Sequence, residues 1–256
     1  MAFVDQTGRT VFLSGIPQRI ISLVPSQTEL LSDLGLDEEV IGITKFCIHP
    51  GKWFHTKKRI GGTKQVHQEL ICQLQPDLII ANKEENVKEQ VEALAALFPV
   101  WITDVNNISD AYRMIHDLGM ITGKSATADT IIEKVKQSFS VLKIPAVKPR
   151  IAYLIWRSPY MTVGHDTFIH SMLELAGYEN VFADRTRYPE VSVEELQNAG
   201  CDQVFLSSEP YPFGQKHIDE LQPLLPGVKI RLADGEMFSW YGSRLLYAAE
   251  YFHSME

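Results

Sequence analysis

Cys47 and His49 stand two positions apart in the segment Lys45-Phe46-Cys47-Ile48-His49-Pro50. A thiolate or imidazole there could be an axial ligand to cobalt or iron, or bind a metal alone. A plain loop cysteine and turn histidine would look the same. His55, His67, His165, His170 and His217 show no HxxxH or HExxH spacing, so a zinc-hydrolase motif is absent. Glu209 and Glu236 lie among aromatics in SEPYPFG and DGEMFSWYGSR. A general acid–base pair would need a nucleophile or cofactor beside it, and no GxSxG, Walker A or strand-borne GxGxxG occurs. The broader signal is aromatic and cationic. Phe46, Lys64 and Lys83 come from the first half, and Trp156, Arg157, Tyr188, Phe238, Trp240, Tyr241 and Arg244 from the second. Aromatic faces with a few placed charges suit a flat or bulky, partly anionic ligand.

The elements that must position these residues are written twice. Residues 19–42 (RIISLVPSQTELLSDLGLDEEVIG) and 150–182 (RIAYLIWRSPYMTVGHDTFIHSMLELAGYENVF) share an Arg-Ile start, an apolar run, a loop, an apolar helix and a Gly. In a second pair, HQELICQLQPDLII and SVEELQNAGCDQVFL, Glu69 and Glu194 each stand eight positions before an Asp, Asp77 or Asp202, that opens an apolar run. Two similar halves predict two similar lobes with a cleft between them.

Short apolar runs at 20–24, 40–44, 78–81, 100–103 and 204–206 predict buried strands. Ser26-Gln-Thr-Glu29 reads as a capping box, with Ser26 as cap and Glu29 at the third helical position. A helix is predicted over 241–253. Strands alternating with helices predict an α/β fold: two Rossmann-like lobes with parallel sheets. From Ser125, Ala128, Ile131, Ile132, Val135, Phe139 and Leu142 recur with helical period. The expected organisation is a lobe over 1–122, one long connecting backbone helix over 123–145, and a lobe over 146–256. Such a helix is a stiff tether that permits little hinge motion.

Composition narrows the class. The net charge of −8 argues against a nucleic-acid partner. No apolar stretch approaches the ~20 residues of a membrane span. The start MAFVDQTGRTVFLSG has no basic or apolar leader pattern, so the chain as written reads as cytoplasmic; a mature chain with its leader removed would read as periplasmic or cell-surface. Three widely spaced cysteines form neither a disulfide framework nor a zinc site.

RIISLVPSQTELLSDLGL followed by RIGGTKQVHQELICQLQPDLIIANKEEN resembles the vitamin B12-binding proteins of ABC importers, within the helical-backbone metal-receptor family that also binds ferric siderophores and haem. The resemblance covers about Val4 to Phe252. It implies a monomeric binding protein, not an enzyme, that takes a small-molecule metal chelate into the cleft: a corrinoid first, then haem or a ferric siderophore. No covalent cofactor is implied. The partner it implies is an ABC permease, whose arginines would meet Glu69 and Glu194, one on each lobe. Where the relatives flank a corrin with aromatics, this chain reads Lys64, Asn82, Tyr188 and Met237. Two alternatives stand beside this reading. One is a free transition-metal receptor using His49, Glu85, Glu209 and Glu236. The other is a cytosolic corrinoid- or metabolite-handling protein or enzyme with Cys47 as nucleophile.

Overall fold

The computed structural model describes residues 1–255 and divides into two compact units. The first contains Met1–Val105, Ser109–Val135 and Tyr241–Arg244; the second contains Asn106–Ile108, Lys136–Trp240 and the chain from Leu245 on.

In the first unit, β1 (Ala2–Val4) and β2 (Thr10–Phe12) form an antiparallel pair. There follow β3 (Ile20–Ser22), α1 (Pro25–Asp33), β4 (Val40–Ile43), α2 (Gly51–Thr56), β5 (Lys58–Arg59), α3 (Gln68–Leu74), β6 (Leu78–Asn82), α4 (Lys88–Ala95) and β7 (Val100–Thr103). Five strands join in the order β5-β4-β3-β6-β7, all parallel. Ile20, Ile21, Ile79 and Ile80 are fully buried, as expected of strands covered on both faces. Helices α5 (Ile108–Ile121) and α6 (Ser125–Ser140) come next, and α6 carries Ala128, Ile131, Ile132 and Val135 on its buried side. Its 16 residues span about 24 Å at a rise of ~1.5 Å per residue.

The second unit contains β8 (Arg150–Leu154), β9 (Tyr160–Met161), α7 (Phe168–Leu175), β10 (Glu179–Asn180), β11 (Glu190–Val191), α8 (Val193–Asn198), β12 (Gln203–Ser207), α9 (Gln215–Leu221), β13 (Lys229–Ala233), α10 (Gly235–Ser239) and α11 (Leu245–Ser254). Its parallel sheet runs β10-β8-β12-β13, and β9 pairs with β11 antiparallel. An aromatic cluster fills its core, with Phe238 at 5.1 Å from Tyr153 and 4.8 Å from Phe252 between ring centroids.

In each sheet the chain leaves the first strand to one side and later resumes on the other. That switch falls between β3 and β6 in one unit and between β8 and β12 in the other. Ligand crevices in open parallel sheets form outside the carboxyl ends of the strands at such a point.

The repeated Arg and Asp do one job twice at the opposite, amino edges. Asp77 accepts the backbone N–H of Gln18 and of Arg19, each at 2.8 Å. Asp202 accepts that of Arg150 at 2.8 Å. The Arg19 side chain donates to the Gln75 carbonyl at 3.1 Å, and that of Arg150 to Gly200 at 2.6 Å. Each arginine thus satisfies carbonyls left open where a helix ends, α3 or α8.

Two local expectations are corrected. Pro25 is the first residue of α1 and Val24 its cap, with no side-chain cap bond, so Ser26 and Glu29 form no capping box. Proline is pre-set for that first position, which moves the helix start ahead of Ser26. The helix expected over 241–253 begins only at Leu245, because Tyr241–Arg244 packs into the first unit.

Candidate functional site

At the carboxyl edge of the first sheet, two asparagines knit the loops together. Asn82 Oδ1 accepts the N–H groups of Glu84 and Glu85 at 2.8 and 3.0 Å. Asn86 donates to the carbonyls of Leu23 and Thr63 at 3.3 and 3.0 Å. Lys64 is exposed and donates to the Glu84 carbonyl at 2.9 Å. Lys83 is exposed and pairs with Asp104 at 2.6 Å. Phe46 is 51% exposed, a large aromatic surface left in water. The Lys45 ammonium sits 5.0 Å from its ring centroid, and the ring rests on Gly62, where a Cβ would come within 3.1 Å. Phe46 therefore presents a braced aromatic face with a cation beside it.

Cys47, its neighbour, is fully buried. Thr28 donates to its sulfur at 3.1 Å, and Thr44 lies at the same distance. Burial pushes its thiol pKa up. A buried, protonated thiol offers neither an axial ligand nor a nucleophile, so the Cys47 roles expected from sequence do not fit. His49 is half-buried in the same loop.

Tyr241 and Arg244 also belong to the first unit, and both are committed within it. The Tyr241 hydroxyl donates to Glu85. Arg244 makes a two-point ion pair with Glu29, at 3.0 and 2.7 Å, with both side chains largely buried.

At the carboxyl edge of the second sheet, Trp156 is 40% exposed and meets Tyr211 edge-on, centroids 5.7 Å apart. Arg157 pairs with Glu220 at 2.7 Å. Tyr188 is half-buried, with the Arg187 guanidinium 5.6 Å from its ring centroid. Glu209 accepts from Ser239 at 2.6 Å and from the Trp240 indole at 2.8 Å. Burial raises its pKa, against those two bonds, and Glu236 and Asp234 add to the rise. Gly235 makes this closeness possible, since a Cβ there would stand 2.5 Å from the Glu209 side chain. Phe238 is fully buried in the aromatic core, so it supplies packing where the sequence suggested a ligand contact. Trp240 is almost buried, its N–H spent on Glu209.

Glu69 and Glu194 occupy the same place, the second residue of α3 and of α8, and both are exposed. Neighbouring Glu195 is used up by the capping box with Ser192 and by Arg185 at 2.6 Å.

The free-ion alternative is not supported. Among the described residues no three His, Cys, Asp or Glu side chains form a group able to hold a metal. Glu85 and Glu209 are hydrogen-bonded elsewhere. Sequence reasoning missed the Glu29–Arg244 pair and the glycines under Phe46 and Glu209. The motif P-S-x-T-E signals Glu29 only as a helix residue, and nothing local signals a partner 215 positions away.

Each unit is an open parallel sheet with a switch point and loops gathered at its carboxyl edge, the arrangement in which open α/β sheets take ligands. Residues 20–225 match the family described as periplasmic binding protein, and the chain belongs to it. It is 27% identical to the ABC transporter substrate-binding lipoprotein YvrC of Bacillus subtilis (strain 168), over 78% of this chain and 67% of that one. It is 26% identical to the vitamin B12-binding protein of Pectobacterium carotovorum subsp. carotovorum (strain PC1), over 92% and 87%. The fold also matches the periplasmic haem-binding protein HutB of Vibrio cholerae, with a TM-score of 0.80, 19% identity, and coverage of 93% and 98%. The chain is thus a binding protein rather than an enzyme. Among the described residues no helix is long and apolar enough to cross a membrane.

Proposed function

We propose that this protein captures a metal chelate and delivers it to an ABC importer, a corrinoid being the first choice and haem or a ferric siderophore the next. The observation that carries this reading is the pairing of accessible aromatics with cations at the carboxyl edges of both sheets. Phe46 has Lys45 beside it and Tyr188 has Arg187; Trp156 adds a third accessible aromatic face. Aromatic faces accept the flat side of a conjugated macrocycle, and the cations meet its carboxylate or phosphate substituents. The relatives' names point the same way, to vitamin B12 and to haem. Lys64, Lys83 and His49 lie on neighbouring loops and are assigned supporting contacts. Tyr241 and Arg244 in the first unit, and Trp240 and Glu209 in the second, are held by their own internal bonds.

Delivery is assigned to Glu69 and Glu194. One exposed carboxylate on each unit gives a two-point dock for basic residues of a permease, which fixes orientation more than affinity.

Titration with cyanocobalamin, haemin and a ferric hydroxamate, followed by visible absorbance and calorimetry, tests the reading. Saturable binding of at least one is expected. No binding to any of the three would end it.

A further inference from the structure

His170, on α7 in the second unit, touches nothing assigned above, yet its hydrogen bonds lead to the segment that carries Arg187 and Tyr188. Its Nδ1 lies 3.2 Å from Asn180 Nδ2. The Asn180 amide cannot turn over. Its Oδ1 accepts the N–H of Phe182 at 3.1 Å, and its Nδ2 donates to the Val163 carbonyl at 2.8 Å. Asn180 must therefore donate to His170, so His170 Nδ1 is an acceptor and the ring is neutral with its proton on Nε2. That Nε2 faces Glu174 at 3.6 Å.

Val163 lies in a stretch that continues the β9–β11 pairing as an irregular ribbon. Thr162 donates to Pro189 at 3.0 Å, Gly164 to Arg187 at 2.8 Å, and His165 to Arg185 at 3.0 Å. Arg187, in left-handed backbone geometry at φ 57, donates its N–H to Asp166 at 2.5 Å. The stretch 162–165 thus holds residues 185–189 from one side, and Asn180 holds Val163 from the other.

We propose that His170 is a pH-sensitive positioning residue that pins the 185–189 segment in its binding geometry. A proton on Nδ1 would set donor against donor across the Asn180 contact, and the amide has no second orientation to offer. The titratable and charged groups around the ring are Glu174 on its own helix, Asp166 and His165 in the preceding turn, and Arg187 across a pocket of about 450 Å3 that all of them line. Burial places the His170 pKa below its ordinary 6.5, with Glu174 opposing and His165 assisting. Because the folded value is depressed, the pin is intact at 6.5 and above and fails only as pH falls through that lower folded value. The consequence for ligand affinity rests on the proposed role of Tyr188; the pin itself does not.

Amide hydrogen exchange at Thr162, Gly164 and His165, corrected for intrinsic rates, tests it on the ligand-free protein. Between about pH 7.5 and 4.5, an interval that reaches well below the ordinary histidine value, protection should drop by roughly tenfold or more in the wild type. In His170→Gln, which keeps an acceptor but does not titrate, the drop should vanish. Equal protection at both pH values in the wild type, or an unchanged drop in the variant, overturns the proposal. Should the variant fold poorly, imidazole 15N NMR of the wild type decides instead: a proton on Nε2 at neutral pH is expected, and one on Nδ1 overturns the pin. If exchange shifts as expected while haemin and cyanocobalamin affinities stay flat with pH, the pin stands and the assignment of Tyr188 to the ligand fails.

Discussion

Arg244 grips Glu29 through two contacts, at 3.0 and 2.7 Å, across 215 residues of sequence. The pair fastens the short segment before α11 to the first turns of α1, inside one unit. Both side chains are about seven-eighths buried, at 12% and 13% exposure. Removing either partner takes the counter-charge from a group held largely out of water. Glu29→Ala or Arg244→Ala should each cost about 3–5 kcal/mol. The double variant should cost clearly less than their sum. Urea denaturation of the four proteins measures this, and strict additivity would show that the two charges do not interact.

Glu209 gives a pH dependence of defined sign. Its folded-state pKa lies above the ordinary 4.5, chiefly through burial. The folded protein therefore holds this proton longer than the unfolded chain does. The associated stability is present below 4.5 and is lost as pH rises through the folded value. Glu209→Gln keeps an acceptor for Ser239 and Trp240 and removes the titration. Its stability relative to wild type should improve on going from about pH 4 to 8. A flat difference in urea midpoint across that range would contradict the assignment.

Phe46 and its glycine seat should act on affinity, not on folding. Phe46→Ala leaves a half-exposed position with little buried area to lose. It should weaken binding of a flat chelate by about tenfold, the equivalent of ~1.4 kcal/mol. Gly62→Val should weaken binding as well, since a side chain would displace the ring from its seat. Calorimetric titration reads both, and unchanged affinity in Phe46→Ala would remove this residue from the site.

Charge reversal at the two exposed acids should separate delivery from capture. Glu69→Arg with Glu194→Arg should leave ligand affinity and melting temperature near wild type, because neither carboxylate holds its own unit together. Uptake in cells carrying the cognate permease should fall by at least about tenfold. Normal uptake by the double variant would refute docking through these residues.

Much of the scaffold was legible in the chain itself. The duplicated Arg-Ile starts and the acid eight positions before each Asp predicted two related α/β units, and the same Arg–Asp latch indeed closes the amino edge of both sheets. Buried strands and helices announce themselves because one residue's exposure depends on its immediate neighbours' periodicity. The two-residue strands β5, β9, β10 and β11 were not fully readable, since pairing with distant strands defines them.

The candidate site divides along the same line. Residue type marked Phe46, Trp156 and Tyr188 as aromatic surfaces, and the structure leaves each at least partly accessible. Type could not distinguish them from Phe238, which the tertiary structure places in a sealed aromatic core. Nor could it tell that Cys47 is enclosed by Thr28 and Thr44, that Tyr241 is bound to Glu85, or that Arg244 belongs to Glu29. Local sequence encodes which face of an element is apolar. It does not encode which distant group will meet a given charge or ring, because that partner is chosen only when the whole chain has packed.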